Sequence, residues 1–173
     1  ELADAIGAKP IEEQTPQEAR ASSEIRIAGQ WGNKDRLDHI ENVGIPSARA
    51  TIPARLYRTP GAAETILYFH GGGWVVGSLE THDGMLRAMT LATSANILSV
   101  EYRKAPEAPF PAALDDAEAA LDWLDKHAAG KALDSSRLIV MGDSAGASIA
   151  AALSVRGRNR ARPLSGQVLI YPT

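Results

Sequence analysis

The chain has 173 residues, a net charge of −3 at pH 7, 45% hydrophobic and 23% charged residues, and no cysteine. That length supports one domain with a sizeable core, and that balance gives no electrostatic footprint for nucleic acid or an anionic membrane surface. The absence of cysteine excludes disulfides, zinc–thiolate sites and a thiol nucleophile, so any covalent catalysis must use another group.

Residues 1–45 read as a polar N-terminal cap segment, either a helical lid or simply a cover over the core. Its start, Glu1-Leu2-Ala3-Asp4-Ala5, lacks the basic region of a secretory signal, and no apolar run approaches the ~20 residues of a membrane span. A cytoplasmic protein without a membrane span is expected. Thr15-Pro16-Gln17-Glu18 predicts a helix start: a capping threonine, proline in the first turn, then an acid. Ile25, Ile27, Trp31, Leu37 and Ile40 give the segment apolar surface to bury.

From residue 46 onward the pattern is that of a core. Residues 49–58 partly alternate and contain Pro53, which predicts an edge strand. Thr59-Pro60-Gly61 is a turn. Thr65–Phe69 is a short continuous apolar run, as in a parallel strand buried on both faces. A helix is expected over about 82–93, then a strand over Asn96–Tyr102. Pro106, Pro109 and Pro111 mark a rigid loop that Arg103 and Glu107 are expected to brace. Ala113, Leu114, Ala117, Leu121 and Leu124 recur at helical spacing, and the acids between 115 and 125 read as a solvated face. Arg137–Met141 is the next buried strand, 145–156 an alanine-rich helix, and Gln167–Tyr171 a last strand. Strands alternating with helices predict a doubly wound, mostly parallel α/β sheet, incomplete at its C-terminal edge. Such sheets carry their sites at the carboxyl ends of the strands, where both glycine clusters, 71–73 and 142–146, fall.

Gly142-Asp143-Ser144-Ala145-Gly146 follows a strand and opens a helix, the context in which G-x-S-x-G reads as a nucleophile elbow. The serine needs a sharp, strained turn to stand clear of the backbone. Its neighbours at minus two and plus two must be small, because strand and helix converge there. His70-Gly71-Gly72-Gly73-Trp74 ends the earlier strand. It is of the type that supplies backbone N–H donors to a tetrahedral oxyanion. The hole expected from these two motifs uses Gly71, Gly72 and Ala145, with His70, Gly73 and Asp143 in support and Trp74 in the substrate pocket. Neither a P-loop nor a Rossmann fingerprint is present.

These residues resemble the hormone-sensitive-lipase family of esterases, bacterial family IV, of the α/β-hydrolase superfamily. His70–Trp74 matches its oxyanion motif. Tyr102-Arg103-x-Ala105-Pro106-Glu107-x-Pro109-Phe110-Pro111-Ala112-Ala113 matches its second signature, and Gly142–Gly146 its GDSAG elbow. The resemblance runs from about residue 45 to Thr173. It implies a carboxylesterase or lipase with a Ser-Asp-His triad, an acyl-enzyme intermediate, no cofactor, no metal, and short-to-medium acyl esters as substrates. It also implies the chain order serine, acid, histidine. Here the sequence departs from the pattern: after Ser144 there is no Asp, Glu or His. The triad acid and histidine are therefore expected beyond Thr173, and this chain alone is expected to be nearly inactive.

The histidines present do not fill the gap. His70 belongs to the oxyanion loop as a structural hydrogen-bonding residue. His82 is expected at a helix start, on the surface or under a lid. His127 ends a charged helix, and His39 lies in the cap segment. Two other readings remain at this level: a non-catalytic ligand-binding protein on the same scaffold, as in the plant gibberellin receptors, or a truncated chain without independent function. A sheet ending on its sixth strand exposes an apolar edge that either the rest of the molecule or a second copy, in a homodimer, would cover.

Overall fold

The computed structural model describes residues 9–173 except 33, 132, 135 and 162, so the first eight residues of the cap segment lie outside them. Among the described residues six strands form one sheet: β1 (Ile40–Pro46), β2 (Thr51–Tyr57), β3 (Thr65–Phe69), β4 (Asn96–Val100), β5 (Leu138–Asp143) and β6 (Gly166–Ile170). The helices are α1 (Pro16–Gln30), α2 (Leu79–Thr93), α3 (Ala112–His127) and α4 (Ala145–Arg156). The strand order is β1-β2-β4-β3-β5-β6. β4, β3, β5 and β6 run parallel, and β2 and β1 continue the sheet antiparallel.

Alternation is present in the central strands although their sequence hides it. Ile66, Tyr68, Ile97 and Met141 pack with Leu86 of α2 on one face. Leu67, Phe69, Leu98 and Val140 pack with Leu121 and Leu124 of α3 and Ile149 of α4 on the other. With both faces covered by helices, both sets of side chains must be apolar, and the run reads as continuous.

The helix starts follow their caps. α1 has the expected capping box: Glu18 N–H donates to Thr15 Oγ1 at 3.2 Å, and Thr15 N–H to Glu18 Oε2 at 2.8 Å. α2 begins at Leu79, three residues before the expectation, because Ser78 caps it; Ser78 Oγ accepts from the N–H groups of Glu80 and Thr81, both at 3.2 Å. In α3 the acidic face is not wholly solvated. Asp116 is fully buried and binds Arg103 through its backbone N–H at 2.8 Å and its guanidinium at 2.7 Å. That pair fastens the proline loop, as Arg103 was expected to do.

Two strand expectations change. β1 starts at Ile40, inside the segment read as cap; Gly44 and Pro46 had disguised it. β2 is not an edge strand, since β1 lies outside it. Pro53 sits opposite Gly44, and its carbonyl still accepts from Glu101 N–H at 2.9 Å. The proline therefore removes only one donor from the ladder. At the other end, β6 has no partner on its outer side among the described residues, and Val168 is exposed there. No helix among the described residues is long and apolar enough to cross a membrane.

Candidate active site

β3 and β5 are parallel neighbours with Phe69 opposite Gly142. The segments that follow them, 70–74 and 143–146, therefore leave the sheet side by side at its carboxyl edge. Ser144 is half-buried at the N-terminus of α4 with φ 49° and ψ −122°. This is a left-handed conformation that a non-glycine residue holds only when its surroundings enforce it. The surroundings are tight. Ser144 N–H donates to Ile170 O at 2.9 Å. A Cβ on Gly142 would lie 2.4 Å from the Gly146 carbonyl oxygen, and one on Gly146 would lie 2.0 Å from Phe69 O and 2.6 Å from His70 O. The small neighbours are thus required by the first turn of α4 passing over the end of β3.

One of the three backbone donors that the sequence suggested is engaged elsewhere. Gly71 N–H donates to Asp143 Oδ1 at 2.9 Å. That N–H is already engaged inside the protein, which departs from the expectation that Gly71 contributes to the hole. Its glycine identity has another cause: a Cβ there would lie 2.2 Å from Asp143 Oδ2. Gly72 (φ 124°) and Gly73 (φ 57°) turn the loop. Among the described residues their N–H groups have no acceptor. The Gly72 carbonyl accepts from Val75 and Val76 N–H at 3.0 and 2.9 Å, which closes the turn. Ala145 is the first residue of α4, and its N–H has no intrahelical acceptor.

Asp143 ties the two loops together. Oδ1 accepts from Gly71 N–H and from the Tyr68 hydroxyl, and lies 3.5 Å from His82 Nε2. Burial raises this carboxyl, but the hydrogen bonds from His82, Tyr68 and Gly71 outweigh it and hold the group below the ordinary carboxylate range. Burial pushes the Tyr68 phenol up, so it stays protonated and donates. His82 was expected at the surface or under a lid; it is 8% exposed. Leu79, His82, Leu86 and Thr90 form the buried face of α2, so helical spacing could have revealed it. Tyr68 gave no sequence signal beyond a polar tip in a buried strand.

His70 is fully buried and stacks on Tyr102 at 4.4 Å between ring centroids. Burial pushes its imidazole down to about 3, which keeps it neutral. Nδ1 lies 2.8 Å from Gly71 O, and a carbonyl only accepts, so Nδ1 carries the proton. Tyr102 hydroxyl in turn donates to His70 O at 2.7 Å. These bonds hold the 70–74 loop from inside the core.

Beside the elbow lies an apolar cavity of about 350 Å³, lined among others by Trp74, Phe110, Leu114, Ser148 and Ile149. Ser148 is one helical turn beyond Ser144. Trp74, at φ 60°, is 39% exposed and forms one wall.

Residues 66–173, more than half of the chain, match the family described as alpha/beta hydrolase fold. The chain belongs to that family. Carboxylesterase NlhH of Mycobacterium tuberculosis is 44% identical to this α/β-hydrolase over 126 residues, covering 70% of this chain and 40% of that protein. Ethyl acetate hydrolase of Pseudomonas putida is 39% identical over 164 residues, covering 90% of this chain and 51% of that protein. Among solved structures, the hyperthermophilic esterase of Pyrobaculum calidifontis superposes with a TM-score of 0.86 at 35% identity. The match covers 93% of this chain and 53% of that one. The resemblance carried by the three motifs is thereby confirmed. The chain spans about half the length, or less, of the relatives it matches.

No histidine bonds to Ser144 Oγ among the described residues of this α/β-hydrolase. His70 and His82 are both committed beneath the loop, and His127 Nδ1 lies 3.0 Å from Trp123 O on the far helix α3. Among the described residues no group of three or more His, Asp or Glu could hold a metal ion.

Proposed function

We propose that the protein is a carboxylic ester hydrolase acting on short-to-medium acyl esters through Ser144. The observation that carries this reading is the strained Ser144 at the N-terminus of α4, on a turn that leaves the sheet beside the loop holding the unengaged amides of Gly72 and Gly73. Ser144 Oγ attacks the ester carbonyl, and the carbonyl oxygen becomes an oxyanion. The N–H groups of Gly72, Gly73 and Ala145 and the positive end of α4 stabilise it, in a geometry fixed before the reaction. Gly73 thus takes the place first assigned to Gly71. Collapse expels the alcohol and leaves an acyl group on Ser144 Oγ. Water then attacks the acyl-enzyme, and the same donors hold the second oxyanion.

Each step needs a proton carrier. Serine is a weak nucleophile without a base. On this reading the base and the acid that orients it are groups this chain does not supply: 145–173 contains no Asp, Glu or His, and no histidine among the described residues bonds to Ser144 Oγ. The apolar cavity beside Trp74 takes the hydrocarbon part of the ester. No step requires a cofactor. The names of the relatives, a carboxylesterase and an ethyl acetate hydrolase, support the same substrate class.

The test is hydrolysis of p-nitrophenyl acetate, butyrate and octanoate by the gene product extended past Thr173, with fluorophosphonate labelling of wild type against Ser144→Ala. Turnover that falls from butyrate to octanoate, and labelling lost in the variant, are expected. Equal labelling of both rejects Ser144. Binding of esters without turnover would favour a non-catalytic receptor.

A further inference from the structure

We infer that α1 positions the oxyanion loop, with Arg20 as the positioning residue. This inference rests on the esterase reading above. The loop that carries Gly72 and Gly73 is held from inside by His70 and Asp143. Of its outer limb, Trp74 to Ser78, only Gly77 is buried, against His70. Arg20 supplies an anchor from outside. Arg20 Nε donates to Val75 O at 2.8 Å, and one terminal nitrogen donates to Ala105 O at 2.8 Å. Ala105 N–H in turn donates to Trp74 O at 2.8 Å. One guanidinium therefore joins Val75 of the oxyanion loop to Ala105 of the proline loop, beside the backbone bond from Ala105 to Trp74. Its remaining donors face outward, in a two-pronged pair with the exposed Glu107 at 2.9 and 2.6 Å.

One turn further along α1, Glu24 Oε1 accepts from the Ser78 hydroxyl, the cap of α2. Trp31 at the end of α1 lies against Gly84 of α2; a Cβ on Gly84 would come within 2.6 Å of it. Arg20 and Glu24 thus grip the two ends of segment 75–78. The amides of Gly72 and Gly73 are set by the turn that Val75 and Val76 close onto the Gly72 carbonyl. Displacing Val75 displaces that turn, and with it the donors. The N-terminal segment is then part of how charge is stabilised, and not only a cover over the core.

The experiment uses the gene product extended past Thr173 and compares wild type with R20A, R20K and E107Q. Wild type must first label with a fluorophosphonate at Ser144. If it does not, the esterase reading fails and this inference falls with it. Given labelling, three quantities are read: kcat, KM for p-nitrophenyl butyrate, and affinity for a trifluoromethyl ketone, which adds to the serine and places an oxyanion in the hole. R20A and R20K are expected to lose kcat by on the order of ten- to a hundredfold, with KM changed less than about twofold, and to bind the ketone weaker by a similar factor. R20K is included because it keeps the charge and fills most of the space should R20A fold poorly. E107Q leaves the two carbonyl bonds in place and is expected to keep kcat and ketone affinity. Loss of melting temperature in R20A and R20K with kcat and ketone affinity retained would show a merely structural part and overturn the inference. So would equal losses in E107Q.

Discussion

Gly146→Ala isolates the packing that shapes the elbow. The added Cβ would stand 2.0 Å from Phe69 O, 2.6 Å from His70 O and 2.6 Å from Phe69 C. All three are backbone atoms at or just past the end of the fully buried β3, so no side chain can swing away. An ordinary contact needs about 3.4 Å, and the first turn of α4 must therefore retreat by more than 1 Å. Overpacking of that kind costs about 3 kcal/mol, or roughly 6–12 °C in melting temperature for a chain of this size. Ser144 and Ala145 move with the turn, and a shift of about 1 Å lowers turnover by on the order of 10². Differential scanning fluorimetry and p-nitrophenyl butyrate hydrolysis on the extended gene product read both effects. Gly61→Ala is the control: it also has positive φ, 78°, but open space around it, so it should show only backbone strain of about 1 kcal/mol and unchanged turnover. A Gly146→Ala protein with wild-type melting and wild-type kcat would refute the reasoning.

Gly73→Ala adds a Cβ into open space at φ 57°; it should destabilise by about 1 kcal/mol and reduce kcat through the loop, and unchanged ketone affinity would remove Gly73 from the hole. Asp143→Ala leaves Gly71 N–H and the Tyr68 hydroxyl without their acceptor, a loss of about 3 kcal/mol by urea unfolding, whereas Asp143→Asn keeps an acceptor and should lose less; equal stability of the two would show that the bonds do not matter. Stability should also fall in acid by two steps. His70 is pushed down to about 3 in the folded chain against about 6.5 unfolded, so the unfolded chain takes the proton first. Stability then drops as pH falls below about 6.5, by up to about 1.4 kcal/mol per unit. Burial raises the Asp83 carboxyl, but hydrogen bonds from Lys34, Tyr57 and Arg87 bring it to about 2. Its contribution is present above about 4 and is lost as pH falls toward 2, and Asp83→Asn should abolish that lower step. A flat unfolding free energy from pH 7 to 4 would contradict the account of His70.

The parallel strands were legible as apolar runs because helices cover both faces. The Ser144 elbow was legible because its glycines answer a steric demand that leaves a fixed spacing. What stayed hidden has physical reasons. β1 carries Gly44 and Pro46, which mimic a loop, and its pairing with β2 is visible only in three dimensions. Gly71 looked like an oxyanion donor because all three glycines of the motif look alike in sequence; the acceptor that engages it, Asp143, lies 72 residues away. His82 and Arg20 escaped because each acts through a distant backbone or carboxylate, while Asp116 was read as solvated because burial of an acid depends on its partner, Arg103, and not on its own helix.

The central claim is that Ser144 forms a covalent acyl intermediate in a hole made by Gly72, Gly73 and Ala145. Acid quenching of the extended gene product during p-nitrophenyl acetate turnover, followed by peptide mass spectrometry, tests it most directly. An acetyl group on the peptide containing Ser144, absent in Ser144→Ala, is the predicted result. Turnover with no acetyl group on that peptide, or with the group on another residue, would contradict it.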